Sequence, residues 1–257
     1  MAISRGGFRL LLEEHKRCPF GGNLLQLGRN TIYLVKDEIY GWANQHGVEL
    51  KNVPITFSNL EECREWGCID DTTLFSAFGF NSVHSCDISS SEGPTFTLDL
   101  NQPIPRELCG IYDTVIDSGT IEHIFDLKTV LHNIHALLKP GGRAIFMTVP
   151  VSNYVDHGYH MFSPQLLYDY YTINRYRIAS SYVIFFKRDF LRDPWMIYNY
   201  LPGMLDKYSY GNMPTDLMVS QWLCVEKTVH SVCDIIPQQG CSRTGNPPPE
   251  FVPYLQL

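Results

Sequence analysis

Apolar positions along the chain follow two spacings, one typical of helices and one typical of strands. Residues 126–138 place apolar side chains three and four positions apart, as on one face of an amphipathic helix. The runs at 23–27, 111–117 and 143–150 are short and mostly apolar, as in strands buried within a sheet. From residue 70 onwards such helices and strands alternate, which predicts an α/β fold around a mostly parallel sheet.

Residues that cap or begin helices support the predicted helices. Asp70 or Asp71 can cap one helix, and Asp126 can cap the helix that precedes "KPGG". Ser163 and Pro164 are the residue types favoured at a cap and at the first helical position. The predicted helices span residues 1–17, 35–46, 70–79, 126–138 and 163–171.

Two late strands and several irregular stretches complete the pattern. The strands, at 177–188 and 217–228, are separated by the aromatic stretch 189–214, which is too long for a tight turn. Residues 48–69 carry no strong periodic signal, so we interpret 48–69 and 189–214 as insertions. The Pro-rich tail 245–257 predicts a coil or an extended strap.

The composition allows one sizeable core and restricts the partners. With 257 residues and 44% hydrophobic content, the simplest expectation is a single domain over 1–257. The net charge of −7 and the lack of a run of basic residues argue against nucleic acid and anionic membranes. No apolar run approaches the ~20 residues needed to cross a bilayer.

The cysteines and the first residues of the chain indicate the cellular compartment in which we expect the protein. The eight cysteines are scattered and form no CxxC pair, which fits reduced thiols in a cytoplasmic protein. The apolar triplet 10–12 is followed at once by charged residues and is too short for a signal sequence. We therefore expect a soluble, cytoplasmic chain.

Glycine or aspartate residues stand at four consecutive strand ends. In an open parallel sheet, ligands bind outside the carboxyl ends of the strands, near the point where strand order reverses. This rule brings together Gly28, Asp87, Asp99 and 117–119. Asp87 can accept two hydrogen bonds from a ribose diol, and its alternative role is that of a cap or turn residue. Asp99 can accept from an adenine amino group.

The segment "YDTVIDSGTIEHIFDLKTVLHNIHALLKPGGRAIFMTVP" resembles the second half of the class I S-adenosylmethionine-dependent methyltransferase fold. Its most specific parts are "IEH" and "LLKPGG", and the resemblance covers about residues 23–30 and 70–230. It implies a Rossmann-like three-layer sandwich with a mostly parallel seven-stranded sheet. The sheet of that family ends in a C-terminal antiparallel hairpin, which the two late strands match.

The resemblance also implies residues that bind S-adenosylmethionine. "FGFNSVHSCDIS" is similar to the motif that contacts the ribose, and "TLDLNQPIP" is similar to the segment at the adenine edge. "VIDSGTIEH" is similar to the turn beneath the methionine part of the cofactor, where His123 orders the turn or touches the cofactor. The implied cofactor-binding residues are Gly28, Asp87, Ile88, Asp99, Leu100, Asp117, Ser118, Gly119 and His123.

The first motif departs from that family's usual acid followed by "GxGxG". Only Gly28 is retained, and Gln26 stands where the acid is usual. The distance to Asp87 is also long, since 59 residues separate it from Gly28 against ~20 in compact dinucleotide sites. Arg29 can compensate by binding the cofactor's carboxylate bidentately. The alternatives are a surface arginine and a relative that has lost the cofactor.

The segment after the fifth strand of the resemblance, "VPVSNYVDHGYHMFSP", is where an acceptor would lie. A methyltransferase mainly aligns acceptor, methyl group and sulfur, and it needs a base only if the acceptor arrives protonated. His157 or His160 is the candidate base, with Tyr159 beside them. Asp156 and the two histidines are also metal-ligand types, but one loop without a partner motif does not predict a metal site, so we expect none. Simple packing of the loop is the remaining alternative.

These observations predict methyl transfer from S-adenosylmethionine to an oxygen or nitrogen of a small or medium-sized organic acceptor. An acidic chain without a basic groove favours a biosynthetic intermediate or a sugar over a macromolecule. The aromatic stretch 189–214 suits a lid over the acceptor and equally a homodimer interface. The alternative is a non-catalytic, methyltransferase-like binding or scaffold protein. A nicotinamide-dependent oxidoreductase is disfavoured by the missing GxGxxG.

Overall fold

The computed structural model describes residues 1–187, 194–214, 216–238 and 253–256. Its helices are α1 (Arg5–Arg17), α2 (Lys36–Gln45), α3 (Glu61–Glu65), α4 (Asp71–Ala77), α5 (Leu127–Leu137) and α6 (Pro164–Ile173). Its strands are β1 (Ala2–Ile3), β2 (Gly22–Leu27), β3 (Thr31–Ile32), β4 (Phe80–Asp87), β5 (Phe96–Thr97), β6 (Tyr112–Asp117), β7 (Leu138–Ser152), β8 (Arg177–Phe186), β9 (Met196–Asn199), β10 (Met218–Glu226) and β11 (Pro253–Gln256). Short 3₁₀ turns lie at Arg106–Leu108, Ile121–His123 and Asp206–Tyr208.

Nine strands of the described part of the chain form the main sheet, in the order β11-β9-β8-β10-β7-β6-β2-β4-β5. The strands from β5 to β7 pair in parallel, and β10 then pairs antiparallel with both β7 and β8. This is the predicted mostly parallel sheet with its antiparallel hairpin. The chain order reverses around β2, which pairs with β4 on one side and β6 on the other. The carboxyl ends of β2 and β6 therefore define the switch point where a ligand is expected.

Two strands extend the sheet beyond the predicted seven. β9 lies in the stretch interpreted as an insertion and pairs antiparallel with β8. β11 lies in the tail and pairs with β9. Apart from β11, the Pro-rich tail 245–257 lies outside the described residues.

The "KPGG" segment follows the end of α5 and lies at the start of a strand. α5 ends at Leu137, and β7 begins at Leu138 without an intervening loop. Gly141 keeps a positive φ of 85° inside this strand, and its N–H donates to the Lys227 carbonyl oxygen at 2.7 Å. The Lys227 N–H in turn donates to the Gly142 carbonyl oxygen at 2.8 Å, so backbone hydrogen bonds hold both glycines beside Lys227.

Side chains of the strands alternate between two apolar layers. Leu24 packs on the side of α1, α2 and α4, whereas Leu25 and Leu27 pack on the side of α5 and α6. α1 begins after Ser4, whose hydroxyl accepts from the Gly7 N–H at 3.4 Å. Helices thus cover both faces of the sheet, as the sandwich prediction requires. The single-domain expectation stays a prediction.

In the part of the chain that the structure describes, no helix combines the length and the apolar character needed to span a membrane.

Candidate functional site

A cavity of about 430 Å³ lies at the switch point of the sheet. Its wall combines the turn after β6, through Ser118 and Gly119, with the loop after β7, through Tyr154 and His157. β1 and β3 close another side, and Trp195 contributes an aromatic surface. The volume lies within the range of roughly 300–1,000 Å³ that is usual for small-molecule sites.

The turn after β2 is held close to the turn after β6. Gly28 has a φ of 75°, and its N–H donates to the Cys86 carbonyl oxygen at 2.7 Å. A Cβ at this position would lie 2.9 Å from the Thr120 hydroxyl oxygen and closer still to the Met1 side chain. Thr120 in turn donates its hydroxyl to the Leu27 carbonyl oxygen. Glycine is therefore required here both by the backbone angle and by the close approach.

Side-chain hydrogen bonds replace the missing glycines after β2. The buried Gln26 donates to the Asp71 carboxylate at 2.8 Å and accepts from the Asn30 side-chain amide at 2.9 Å. Asn30 accepts in turn from the Ser118 hydroxyl. The non-glycine loop is thus fixed by contacts with α4 and with the turn after β6.

Arg29 does not reach the cavity. Its Nε donates to Asp71 Oδ1 at 3.2 Å, and its Nη1 donates to the Glu92 carbonyl oxygen at 3.0 Å. The Asp71 side chain is only 4% exposed, so the arginine balances a buried charge. This pairing occupies the guanidinium that we predicted to bind the cofactor's carboxylate, and that role stays an unsupported prediction.

Asp87 and Asp99, the acids near the other strand ends, each accept a hydrogen bond within a turn. Asp87 Oδ1 accepts from the Ser89 N–H at 2.9 Å, and Asp99 Oδ1 accepts from the Asn101 N–H at 2.9 Å. Ile88 is 69% exposed beside Asp87, whereas Leu100 is buried in the core on the α5 side. Leu100 lies within that core, and its predicted contact with the cofactor stays a prediction. None of these four residues is part of the cavity wall.

Two buried acids lie at the end of β6 and in the turn that follows it. Asp117 Oδ1 accepts from the Thr120 and Ile121 N–H groups at 3.0 and 3.2 Å. Asp117 Oδ2 and Glu122 Oε2 are buried and have no hydrogen-bond partner among the described residues. Burial raises the pKa of Asp117, and burial together with the charge of Asp117 raises the pKa of Glu122. Burial removes these two carboxyl groups from water and disfavours their charged forms. Carboxyl groups with pKa values raised in this way are typical of functional sites.

The wall residues Tyr154, His123 and His157 gather around Glu122. His157 Nε2 lies 3.7 Å from Glu122 Oε1, and the rings of His123 and His157 are 5.2 Å apart. Burial and the neighbouring His157 lower the pKa of His123. Burial raises the pKa of Tyr154 to about 12, and its hydroxyl pairs with that of Ser220. Glu122 is absent from the set of site residues chosen from the sequence.

His160 and Tyr159 lie outside the cavity wall, unlike His157. The backbone N–H of His160 donates to the Glu122 carbonyl oxygen at 3.1 Å, and its ring nitrogen Nε2 pairs with the Ile124 carbonyl oxygen at 3.0 Å. Tyr159 is 71% exposed, and its ring packs edge-on against Phe125. Of the three predicted catalytic residues, His157 is the one that contributes to the cavity wall.

The aromatic stretch turns some of its side chains inward. Trp195 is 2% exposed and stacks on Phe186 with ring centroids 5.5 Å apart. A Cβ on Gly6 would lie 2.3 Å from the Trp195 ring, so the glycine in α1 makes room for it. Trp195 therefore closes the cavity from the side of α1.

A model of the methyltransferase domain family matches residues 54–182, which is half of the chain. The chain belongs to this methyltransferase family. Its cofactor is S-adenosylmethionine, as expected for a class I methyltransferase. A search of curated protein sequences gave no match to this methyltransferase.

Solved structures give only distant likenesses to the methyltransferase. The 1,6-didemethyltoxoflavin-N1-methyltransferase of Burkholderia thailandensis is 13% identical, with 87% of this chain and 77% of that chain covered and a TM-score of 0.42. Phosphoethanolamine N-methyltransferase 2 of Haemonchus contortus is 14% identical, with 86% and 52% covered and a TM-score of 0.41. The branched-chain polyamine synthase of Thermus thermophilus is 12% identical, with 92% and 59% covered and a TM-score of 0.42. Likenesses at this level do not bear on the acceptor.

The methyltransferase has residues that fit the cofactor at the switch point. The positive φ of Gly28 lets the backbone turn sharply at the end of β2, where a Cβ would intrude on the turn after β6. Ser118 and Gly119 lie on the cavity wall at the end of β6. An acid, Asp87, ends the neighbouring strand β4. The cavity and the strand-end acid therefore fit the cofactor, although the glycine-rich loop is absent.

Proposed function

We propose that this methyltransferase transfers the methyl group of S-adenosylmethionine to an oxygen or nitrogen of a small or medium-sized organic acceptor. The observation that carries the proposal is a single cavity bounded by both the turn after β6 and the loop after β7. Its volume of about 430 Å³ and the net charge of −7 favour a small molecule over a nucleic acid. A biosynthetic intermediate or a sugar in the cytoplasm is the acceptor we expect.

We assign the cofactor to the strand ends around β2. Gly28, Ser118 and Gly119 would lie along its methionine part, with Asp117 ordering the turn and His123 at its far side. Asp87 would accept hydrogen bonds from the ribose, and the exposed Ile88 would cover one face of the adenine ring. Asp99 would lie at the adenine edge. The contacts of Arg29 and the burial of Leu100 weigh against direct roles for them.

The transfer needs little chemistry from the protein. The acceptor's lone pair forms the new bond to the methyl carbon while the carbon–sulfur bond breaks, and S-adenosylhomocysteine leaves as a neutral thioether. The chain's contribution is alignment and the exclusion of water, which Trp195 and Tyr154 provide from the cavity wall. An acceptor that carries a proton must also lose it.

We propose that His157 acts on this proton, rather than His160 or Tyr159. His157 is on the cavity wall beside Glu122, whereas the ring of His160 is engaged by a carbonyl oxygen. An imidazole can accept the proton directly or can hold an ion that lowers the pKa of the acceptor. The choice between these modes depends on whether an ion is bound beside Glu122.

Calorimetry with S-adenosylmethionine and S-adenosylhomocysteine tests the cofactor assignment. Asp87→Ala should weaken binding by about 1–3 kcal/mol because the ribose loses a charged acceptor. Asp126→Ala removes an exposed carboxylate that accepts from the Thr129 N–H outside the assigned site, and it serves as the matched control. Binding of NADH in place of both compounds would refute the proposal, and an unchanged affinity in Asp87→Ala would remove that residue from the site.

Transfer of labelled methyl groups to a panel of hydroxyl and amine acceptors tests the reaction itself. Cofactor binding without transfer to any acceptor would favour the non-catalytic alternative. The homodimer expectation is tested separately by sedimentation, in which a monomer at working concentration would contradict it.

A further inference from the structure

Three metal-ligand side chains converge at one end of the cavity. Glu122 and His123 come from the 3₁₀ turn after β6, and His157 comes from the loop after β7. One donor atom from each lies within 4.8 Å of the others. Ligands of a tetrahedral zinc ion, with bonds of about 2.0–2.1 Å, lie about 3.3 Å apart. Small side-chain movements therefore suffice to bring the three donors to one ion.

One of these donors has an oxygen without a partner. The Glu122 side chain is 2% exposed, and its Oε2 has no hydrogen-bond partner in the described part of the chain. A buried carboxylate oxygen without a donor is unfavourable, because its desolvation is not compensated. Glu122 belongs to the cavity wall, so a ligand in the cavity can supply the missing partner.

Backbone contacts fix the loop of His157 against the turn of Glu122. A Cβ on Gly158 would lie 2.8 Å from the Glu122 carbonyl oxygen and 3.1 Å from His123 Nδ1. The same carbonyl oxygen accepts from the N–H of His160, whose ring pairs with the Ile124 carbonyl oxygen. The two segments that carry the donors are thus locked together, as a preorganised site requires.

We propose that Glu122, His123 and His157 bind one divalent transition-metal ion, with Zn²⁺ as the reference ion. Two imidazoles and one carboxylate form a donor set that suits zinc and its neighbours, whereas Mg²⁺ and Ca²⁺ prefer oxygen ligands throughout. Three protein ligands are the number found in catalytic zinc sites, which keep a fourth position open. Here the open position faces the cavity. We expected no metal from the sequence, and this donor set is the reason for proposing one.

The open position gives the ion a role that rests on the proposed function. An acceptor hydroxyl bound there would lose its proton to solvent more readily, and the resulting oxygen would then displace the thioether from the methyl group. In this mode His157 is a metal ligand and accepts no proton itself. The ion therefore favours oxygen acceptors, because a hydroxyl gains more from such activation than a free amine.

The test uses the full chain, stripped with a chelator and titrated calorimetrically with Zn²⁺, Co²⁺ and Mg²⁺ as the metals alone. We expect one equivalent of Zn²⁺ or Co²⁺, no Mg²⁺ binding, and a Co²⁺ absorption spectrum of a four-coordinate site. Glu122→Gln and His157→Ala should each weaken Zn²⁺ by more than the roughly 10–100-fold typical of outer-shell changes. Asp156→Asn, in the same loop and at a φ of 60° that asparagine tolerates, should leave the affinity unchanged.

Several outcomes would overturn the site. They are failure to bind Zn²⁺ and Co²⁺ at micromolar concentration, equal affinity in both ligand variants, or selective binding of Mg²⁺. Circular dichroism identifies a variant that does not fold, and His123→Gln then takes its place. Calorimetry of S-adenosylmethionine with the stripped chain tests the proposed function separately, so a chain that binds zinc without the cofactor would contradict only that function.

Discussion

Replacing Gly28 by alanine tests whether the turn after β2 is a close contact or an ordinary strand end. The φ of 75° costs an alanine about 1–2 kcal/mol in the left-handed region. The added Cβ also lies 2.9 Å from Thr120 Oγ1, and overpacking of this kind costs about 1–3 kcal/mol. The contact with Met1 adds little, since the end of that flexible side chain can move away. We therefore expect a total loss of about 2–5 kcal/mol in the free energy of unfolding.

Gly47→Ala is the matched control for this substitution. Gly47 has a similar φ of 66°, but a Cβ there would meet nothing within 4 Å. Urea unfolding of both variants, together with calorimetric affinity for S-adenosylmethionine, separates strain from contact. Gly28→Ala should be the less stable variant and the only one with weakened cofactor binding. Equal stability losses and equal affinities would refute the close approach of the two turns.

Three further predictions concern the surroundings of the site. Arg29→Ala should lower the free energy of unfolding by about 1–3 kcal/mol, because the buried Asp71 carboxylate loses a charged donor. A loss confined to cofactor affinity would instead restore the predicted role in binding the cofactor's carboxylate. His160→Ala should lower turnover and zinc affinity while sparing affinity for S-adenosylmethionine, since its ring anchors the loop of His157; unchanged turnover and zinc affinity would contradict this anchoring role. Burial and then the charge of Lys227 lower the pKa of His135 to about 4, so the unfolded chain binds the proton more tightly. Stability should therefore fall as the pH drops from about 6.5 towards about 4, and urea unfolding of His135→Asn should show less of this dependence.

Local rules predicted those features whose partners are close in sequence. Asp70 and Asp126 cap their helices by accepting from the N–H three residues later, at 2.7 and 3.1 Å. Alternation of helical and strand patterns predicted the parallel sheet, and the resemblance to the methyltransferase fold implied its final hairpin. Even here the rule has exceptions, because Ser163 precedes its helix without a capping side-chain bond.

Features that depend on residues far apart in the chain could not be predicted from the sequence. Arg29 pairs with Asp71, 42 residues away, and no pattern near either residue signals this contact. β9 becomes a strand because β8 offers it an edge, although its own four residues carry little signal. Glu122 was read only as part of a family motif, and its closeness to His157 depends on how the loop after β7 returns to the turn.

The backbone contacts between the two donor-bearing segments have a consequence for protein engineering. Acceptor preference in enzymes is often altered by exchanging a single loop, on the assumption that the remaining scaffold is indifferent to it. In this chain the loop after β7 contacts the Glu122 carbonyl oxygen through Gly158 and through the backbone N–H of His160. A transplanted loop without a glycine at the position of Gly158 would displace the 3₁₀ turn. The three proposed metal ligands would then no longer lie close together. The loop and the turn therefore form one exchangeable module, and they should be grafted together.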